Sequence, residues 1–478
     1  MDWNSLLLMR YELGLLVLIL LLVIFEIFSG KKQKGGLINL SIILFAIFTA
    51  IGFIPLEEGS IFGGMFRTND MLHFFKGTLN VGVLILLLQS ADWLKDKVVD
   101  QNKSSEFIVL LFSSLLGMYF MISAGDFLMF YIGLELATLP VAALVAYDTM
   151  KRDSAEAGVK YILSSALASG TAIFGISLLY ATTGTIYFDA FADVISISNL
   201  SVLGFVFFIS GLGFKISLVP FHFWTADVYE GAPIPVASYL SVISKGAAVI
   251  ILMIIMFTVM KPLMPVWNKI FYILIISTMA IGNLFALRQK NMKRFLAFSS
   301  IAQAGFILLG FMSVDTLGVT TIIYFVAIYI FSNLGAFGVV QAISNATGKE
   351  SMNDYKGLYR TNPKLSLIMM LALFSLAGIP PLAGFFGKFF LYAAAASKGY
   401  YFLVFIGVVM ATISLYYYLL VVKEMFLTKN DETSIPYFES RPLMKIGLII
   451  ASIGILVVGL YSPLYDYIYN ISSSFLNL

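Results

Sequence analysis

The stretch Gly211-Leu-Gly-Phe-Lys215-Ile-Ser-Leu-Val-Pro220 places a lysine and a proline inside an apolar segment that covers residues 200–228. This segment is too long for one straight crossing, because a helix spans the bilayer core with about 20 residues. Proline removes a backbone donor and clashes with the preceding turn. In lipid such a break persists only where protein or water satisfies the freed groups. The stretch therefore predicts a broken membrane helix with a charge at the break.

A second long apolar segment, residues 364–397, contains the same combination. It carries Gly378-Ile-Pro-Pro381, then Gly384 and Gly387, and Lys388 follows directly. Each broken segment is the fourth in a block of five predicted spans, spans 4–8 and spans 9–13. An odd number of crossings turns the second block upside down relative to the first. Paired interrupted segments at corresponding positions point to an ion pathway between inverted repeats.

The composition is that of a membrane protein. Hydrophobic residues make up 60% of the 478 residues and charged residues 12%, against about 25% charged residues in soluble domains, and the mean hydropathy is +0.93. We predict an all-α, polytopic fold of about 14 transmembrane helices with two inverted five-helix repeats. The predicted spans are 13–30, 37–55, 71–91, 106–123, 126–147, 158–182, 200–228, 233–260, 267–287, 293–312, 317–344, 364–397, 400–427 and 443–462.

The spans divide the chain into four predicted parts. These are three N-terminal transmembrane helices (1–105), a first repeat (106–260), a second, inverted repeat (261–430) and a C-terminal transmembrane helix (431–478). Lys and Arg concentrate in the connections after odd-numbered spans, and basic loops stay in the cytoplasm. Both termini are therefore expected on the outer side, the periplasm.

Several functions are excluded or unsupported. The chain has no cysteine, so it can form no disulfide, thiolate metal site or Fe–S cluster. Its two histidines, His73 and His222, cannot build a metal cluster alone. No Walker motif and no placed G-x-G-x-x-G occurs, which leaves nucleotide binding without support. The net charge of +3 lies in loops beside membrane segments and does not indicate nucleic acid.

Four charged residues lie near the middle of predicted spans or at their breaks: Glu135, Lys215, Lys245 and Lys388. A cation in the bilayer centre is expensive, so such residues are usually functional. Burial disfavours the charged form of a lysine, and an adjacent carboxylate favours it. A lysine that gains and loses a carboxylate partner can therefore take up and release a proton. This pattern predicts a protein that moves protons.

Other polar residues near the spans have a structural as well as a functional interpretation. Lys76 lies about one turn inside the outer end of the third span, and we expect it to snorkel to the interface. Glu135 and Lys215 could be a static ion pair. Lys160 is either a loop cation or a residue of proton uptake, and His222 either makes a structural hydrogen bond or relays protons.

Five motifs carry a resemblance to a known family. They are Gly133-Leu-Glu-Leu-Ala-Thr-Leu-Pro140, Val219-Pro-Phe-His-Phe-Trp-Thr-Ala-Asp-Val-Tyr-Glu-Gly-Ala-Pro233, Asn291-Met-Lys-Arg-Phe-Leu-Ala-Phe-Ser-Ser-Ile-Ala302, Leu334-Gly-Ala-Phe-Gly338 and Ser375-Leu-Ala-Gly-Ile-Pro-Pro-Leu-Ala-Gly-Phe-Phe-Gly-Lys-Phe389. The chain resembles the subunit N family, antiporter-like membrane subunits of the proton-pumping NADH:quinone oxidoreductase (respiratory complex I). The motifs fall within residues 105–430.

The resemblance implies roles for the central charges. Glu135 would partner Lys215, Lys245 would continue a central hydrophilic axis, and Lys388 would exchange protons with the outer side. Gln303 stands where the family often has histidine, and glutamine cannot titrate.

The resemblance also implies partners. The chain would be a translocase subunit in a bacterial inner membrane, beside antiporter-like siblings, small membrane subunits and lipid. NADH, FMN, Fe–S clusters and quinone would bind partner subunits, and no cofactor would bind this chain. Lys388 favours this subunit over the middle sibling, which typically has glutamate there.

Three other classes of protein compare less well with the motifs and the central charges. A subunit of a multisubunit cation/proton antiporter shares the fold and many motifs, and is the alternative. A stand-alone solute carrier would need a midplane substrate pocket, for which the chain has too few other polar residues. A structural scaffold would not need unpaired central lysines.

Overall fold

The computed structural model describes residues 6–28, 34–55, 57–98, 104–429 and 434–476. Helices dominate these ranges, which confirms the predicted fold class. The exception is a hairpin of two three-residue strands, β1 (Gly59–Ile61) and β2 (Phe66–Thr68), which pair antiparallel with Ser60 opposite Arg67. The predicted boundary at residue 431 lies outside the described residues, and the four-part division stays a prediction.

Three helices open the described chain: α1 (Arg10–Phe28), α2 (Lys34–Gly52) and α3 (Asp70–Trp93). The hairpin connects α2 to α3. Asn69 caps α3, since its side chain accepts a hydrogen bond from the backbone N–H of Leu72 at 2.9 Å. The apolar part of α3 is mostly buried, whereas α1 exposes most of its apolar surface. This difference indicates that α3 belongs to the protein interior and α1 to the lipid boundary.

The next six helices form the first block. They are α4 (Ser104–Ile122), α5 (Phe127–Val145), α6 (Arg152–Thr183), α7 (Asn199–Ile216), α8 (Phe223–Gly231) and α9 (Ile234–Val259). The backbone of Ser217 turns into the left-handed region with φ 66° and ends α7. The predicted break before Pro220 is therefore confirmed, and it divides the fourth segment of the block into α7 and α8.

The second block repeats this order. It contains α10 (Met264–Ala286), α11 (Met292–Met312), α12 (Thr316–Thr347), α13 (Pro363–Ala377), α14 (Ala383–Ser397) and α15 (Tyr401–Phe426). Gly378 has φ 89° and ends α13. The predicted break in this segment is confirmed as well, and it again divides the fourth segment of the block.

Two helices close the described chain, α16 (Pro442–Leu460) and α17 (Ser462–Leu476). Neither α17 nor the short helices Phe188–Val194 and Leu358–Thr361 appeared among the predicted spans. Within the described ranges, 12 helices are long and apolar enough to cross a membrane. The count of 14 crossings stays a prediction, because the apolar stretches Gly36–Gly52 of α2 and Pro363–Ala377 are shorter.

Three helices form the centre of the molecule. The apolar parts of α9, α11 and α12 are almost entirely buried, whereas α15 and α16 expose most of theirs. Apolar surface that faces outward all around a bundle is suited to lipid contact rather than to water. Polar side chains on the three central helices are therefore shielded from the bilayer by protein.

The second break requires a residue without a side chain. A Cβ at Gly384 would lie 1.7 Å from the carbonyl oxygen of Ser375, and the Gly384 N–H donates to the Ser375 hydroxyl at 3.2 Å. We expect Gly384→Ala to push α14 away from α13 and to cost about 1–3 kcal/mol, lowering the amount of folded protein in membranes. A Cβ at Gly170 meets nothing within 4 Å, so Gly170→Ala is the control. Equal amounts of both variants would contradict this close approach.

Candidate functional site

Lys215 lies in the last turn of α7 and is buried. Its Nζ donates to the hydroxyl of Tyr161 on α6 at 3.4 Å and lies 5.9 Å from the centre of that ring. The carboxylate of Glu135 is near enough to act electrostatically on this ammonium. The described side chains form no Glu135–Lys215 ion pair within the 4.0 Å limit for such pairs. The predicted partnership of the two residues therefore stays a prediction.

Glu135 lies on α5, which crosses close to α4. Gly133 allows this approach, since a Cβ there would lie 2.4 Å from the backbone nitrogen of Met121. Among the described residues, the buried Oε1 of Glu135 has no hydrogen-bond partner. Tyr131, one turn earlier on the same helix, is close enough to interact with the carboxylate. Glu135 is half-buried as a residue, and its buried Oε1 keeps an unused acceptor.

Lys245 lies on the central helix α9 with only 1% of its surface exposed. Its Nζ donates to the hydroxyl of Ser300 at 2.6 Å and to the carbonyl of the same residue at 3.1 Å. A π-helical turn, Leu240–Ser244, directly precedes it, and such turns are frequent at functional sites. Both contacts of the amine are neutral oxygens. Loss of the proton from Lys245 would therefore leave no unpaired carboxylate beside it.

Lys388 lies on α14 and reaches back to the end of α13. Its Nζ donates to the carbonyls of Leu376 and Ala377, both at 2.9 Å, and lies 4.5 Å from the ring centre of Phe306. The last carbonyls of a helix have no partner within the helix, and the helix dipole favours a cation there. The break at Gly378 therefore creates the binding site for the Lys388 amine.

Gln303 connects Lys388 to the central helices. Its Nε2 donates to the carbonyl of Leu376 at 3.0 Å and to the hydroxyl of Tyr418 at 3.3 Å. Gln303 and Lys388 therefore share one carbonyl oxygen. Ser300, the partner of Lys245, lies one turn before Gln303 on α11. Gln303 thus shares a hydrogen-bond acceptor with Lys388 and lies one turn from the partner of Lys245, without carrying a titratable group.

Hydroxyl groups that sequence reasoning missed line the space around Lys245. Ser241 Oγ lies 2.9 Å from Tyr329 OH and accepts from Asn333 Nδ2 at 2.8 Å. The hydroxyl of Tyr229 lies near Ser241 and Ser300. Serine, tyrosine and asparagine are common in membrane helices. Only their position in the middle of the most apolar helices could have identified these residues as candidates from the sequence.

His222 and Lys160 lie near the first break. His222 is buried just before α8, and its ring packs on Phe223 with centres 4.6 Å apart. Its Nδ1 has no hydrogen-bond partner in the part of the chain that the structure describes, so its role stays a prediction. Lys160 is exposed and pairs with Glu156 at 2.7 Å and Asp227 at 3.0 Å, an arrangement typical of a surface ion network.

The expectation that Lys76 snorkels to the interface is wrong. Its surface is 0% exposed, and its Nζ forms an ion pair with Glu12 at 2.5 Å. Sequence reasoning missed Glu12, because it follows Arg10 closely at the start of α1 and resembles an interfacial charge.

A family model described as NADH:quinone oxidoreductase/Mrp antiporter, TM, matches residues 124–414. This range includes both breaks and the four central charges Glu135, Lys215, Lys245 and Lys388. The fold and this row of buried charges define the chain as an antiporter-like membrane subunit.

Known proteins narrow the class further. NADH-quinone oxidoreductase subunit N from Phocaeicola vulgatus is 48% identical over 467 residues, 98% of each chain. A chain of respiratory complex I from Thermus thermophilus matches with a TM-score of 0.79 and 27% identity over 95% of this chain and 98% of that chain. A chain of the Mrp complex from Dietzia sp. DQ12-45-1b, 18% identical over 100% of this chain and 98% of that one, shares the fold with a TM-score of 0.83. The chain belongs to the NADH-quinone oxidoreductase subunit N family.

The family confirms the resemblance seen in the sequence. The chain is a multi-pass membrane subunit of a bacterial respiratory oxidoreductase complex, in which other membrane subunits are its partners. The comparisons leave the roles of the individual charges as predictions.

The Tyr161 hydroxyl offers a test of the Lys215 environment. Tyr161→Phe removes the hydrogen-bond acceptor that Lys215 uses, and a buried group without its partner costs about 1–3 kcal/mol. We expect quinone reduction by the assembled complex to slow by about tenfold, the effect of about 1.4 kcal/mol on a barrier. Tyr180→Phe, at an exposed position on the same helix, should leave the rate unchanged. Equal rates for both variants would show that the hydroxyl is dispensable.

Proposed function

We propose that this chain moves protons across the membrane through Glu135, Lys215, Lys245 and Lys388, coupled to quinone reduction in partner subunits. The observation that carries this proposal is the row of buried groups. Lys215 contacts a phenol, Lys245 contacts a serine, and Lys388 contacts backbone carbonyls. The direct contacts of each of these three amines are neutral oxygens. Each amine can therefore give a proton to nearby water without leaving an unpaired carboxylate beside it.

Glu135 would accept a proton from the cytoplasmic side and pass it to Lys215. The hydroxyls of Tyr229, Ser241 and Ser300 would support water-mediated transfer toward Lys245. From there, Gln303 and the carbonyl of Leu376 lead to Lys388, which would release the proton to the outside. Transfer across more than one hydrogen bond would need ordered water, a common feature of polar sites.

The coupling belongs to the complex as a whole. NADH, FMN, Fe–S clusters and quinone would bind partner subunits, and redox energy would reach this chain through neighbouring membrane subunits. The chain would lie in a bacterial inner membrane with both termini in the periplasm, as the distribution of Lys and Arg predicts. The two five-helix blocks would act as half-channels of opposite orientation.

A subunit of a multisubunit cation/proton antiporter is the second candidate. The fold of the Dietzia Mrp complex favours it, yet the 48% identity to an oxidoreductase subunit weighs more, because fold alone does not fix function. Two measurements on the same membranes would separate the candidates: proton movement driven by an imposed Na⁺ gradient, and proton movement driven by quinone reduction.

Lys245 provides the main test. Lys245→Ala removes the central amine, and we expect proton uptake by inverted vesicles and quinone reduction to fall together by at least about tenfold, since a positioned proton-transfer group commonly contributes that much. Lys245→Arg should not restore either rate, because arginine is effectively never deprotonated. The exposed Lys269 is the control, and Lys269→Ala should behave like wild type. Normal pumping by the Lys245→Arg variant would rule out deprotonation at this position.

The position of Lys388 near the outer exit can be tested by chemical access. With Lys388→Cys in this cysteine-free chain, a small polar thiol reagent should react from the periplasmic side only. Lys398→Cys and Lys364→Cys, at the two ends of the same broken segment, report the outer and inner side. Labelling of position 388 solely from the inner side would overturn the assignment of the exit.

A further inference from the structure

A buried charged pair lies in the three N-terminal helices, outside the central row that Glu135, Lys215, Lys245 and Lys388 form. Glu12 of α1 is 1% exposed, and its Oε1 contacts Lys76 Nζ of α3 at 2.5 Å. The same Nζ donates to the hydroxyl of Ser123, just beyond α4, at 2.6 Å. The ammonium thus joins three segments. We refer to Glu12 and Lys76 as the N-terminal pair.

Titratable groups on three helices face the pair. Arg10 and Tyr11 face it from α1, His73 from α3 and Tyr119 from α4. The ring of Phe66, from strand β2, lies 5.3 Å from Lys76 Nζ. Within the described ranges, Glu12 is the carboxylate that contacts Lys76. The pair is therefore a single acid and a single base enclosed mainly by aromatic rings.

The surroundings of the pair have unused hydrogen-bonding capacity. Among the described residues, Glu12 Oε2, His73 Nδ1 and Asn80 Nδ2 are buried and have no partner. Buried polar atoms are normally paired with protein or ordered water. If the pair only held the helices together, unpaired polar atoms around it would not increase the stability of the protein. These three atoms therefore point to a hydrated site.

A cavity of about 550 Å³ that is open to the surface lies next to this site. Its lining includes Ile122 and Ala124, the two chain neighbours of Ser123, and also Thr68. Thr68 Oγ1 is 2.9 Å from His73 Nε2. The cavity lies beside the hairpin that follows α2, on the side that the basic loops predict to be the outside. Ser123 itself is buried, and it lies between Lys76, whose Nζ donates to it, and the two chain neighbours that line the outer cavity.

On the inner side, polar groups of α4 lead back toward the central row. Tyr119 donates to Asn80, one turn deeper than Lys76. The Tyr239 hydroxyl donates to Ser114 of α4 at 3.1 Å and contacts the sulfur of Met118, the chain neighbour of Tyr119, at 3.8 Å. Tyr239 in turn is close to Tyr161, the partner of Lys215. Phenols therefore lie between the N-terminal pair and the first half of the central row.

We propose that Glu12 and Lys76 form a second proton-exchange site, which opens to the outer side through Ser123. This proposal rests on the proposed function, proton movement by this chain. Glu12 accepts a proton from the Tyr119 side through water, while the Lys76 ammonium gives a proton to Ser123 and Ser123 gives its own to cavity water. The proton on Glu12 then shifts to the Lys76 amine, which restores the ion pair and leaves no net change in the site.

The test removes both charges at once. Breaking a buried ion pair by one substitution costs about 3–5 kcal/mol, whereas replacing both partners is often neutral. We therefore expect Glu12→Gln/Lys76→Met to assemble into the complex. Proton uptake by inverted vesicles and quinone reduction should fall together by at least about tenfold, as for other positioned proton-transfer groups. The double variant with wild-type uptake would show that the pair is only structural and would overturn the proposal.

Two further variants give the comparison. Glu26→Gln changes another carboxylate of α1, which accepts a hydrogen bond from Ser105 at the opposite end of the helix, and should pump normally. Glu135→Gln probes the central row in the same assay. If Glu135→Gln pumps normally while the double variant does not, the central row fails and the N-terminal site stands. The reverse result overturns the N-terminal site and leaves the central row intact.

A labelling experiment decides the matter if the double variant does not assemble. Ser123→Cys introduces a single thiol beside Lys76 in this cysteine-free chain. A small polar thiol reagent applied to right-side-out vesicles should react with it and block proton release to the outside. Absence of reaction from the outer side would overturn the proposal, since the pair would then have no path to the cavity.

Discussion

The structure depends on one constraint. Inside the bilayer, protein or enclosed water must satisfy every buried charge and every freed backbone carbonyl, because lipid can do neither. The second break meets both needs together. Gly378 ends α13 and leaves its last carbonyls without helical partners, and the Lys388 amine occupies two of them at 2.9 Å. The break at Gly378 interrupts the helix, and the carbonyls that it frees form the site that binds the Lys388 ammonium.

The lysines differ in what holds them, and this difference fits different tasks. Lys245 and Lys388 are bound by hydroxyl and carbonyl oxygens, so either amine can lose a proton and keep an acceptor for its remaining hydrogens. Lys76 is bound by a carboxylate, so it can lose a proton only if Glu12 gains one. Both arrangements keep the interior near neutral, which the cost of an unpaired buried charge requires.

The sequence was sufficient to predict a feature wherever the residues that cause it lie within one segment. The breaks were predicted because proline and glycine act on the backbone beside them, and both segments are broken where expected. Glu135, Lys215, Lys245 and Lys388 were found because a charge in an apolar run is visible without any fold. The Glu12–Lys76 pair was not found, because its members lie 64 positions apart and each taken alone resembles an interfacial residue.

The sequence by itself determined the all-α membrane fold, the two breaks and the set of central charges, since hydropathy, proline, glycine and charge are properties of single segments. Only the tertiary structure decided which atoms these charges contact. Ser300 reaches Lys245 from 55 residues away and Tyr161 reaches Lys215 from 54. Such contacts depend on which faces of distant helices meet, and helix packing sets that geometry. The sequence therefore determines which charged residues lie in the apolar segments, and the fold determines which residues contact them.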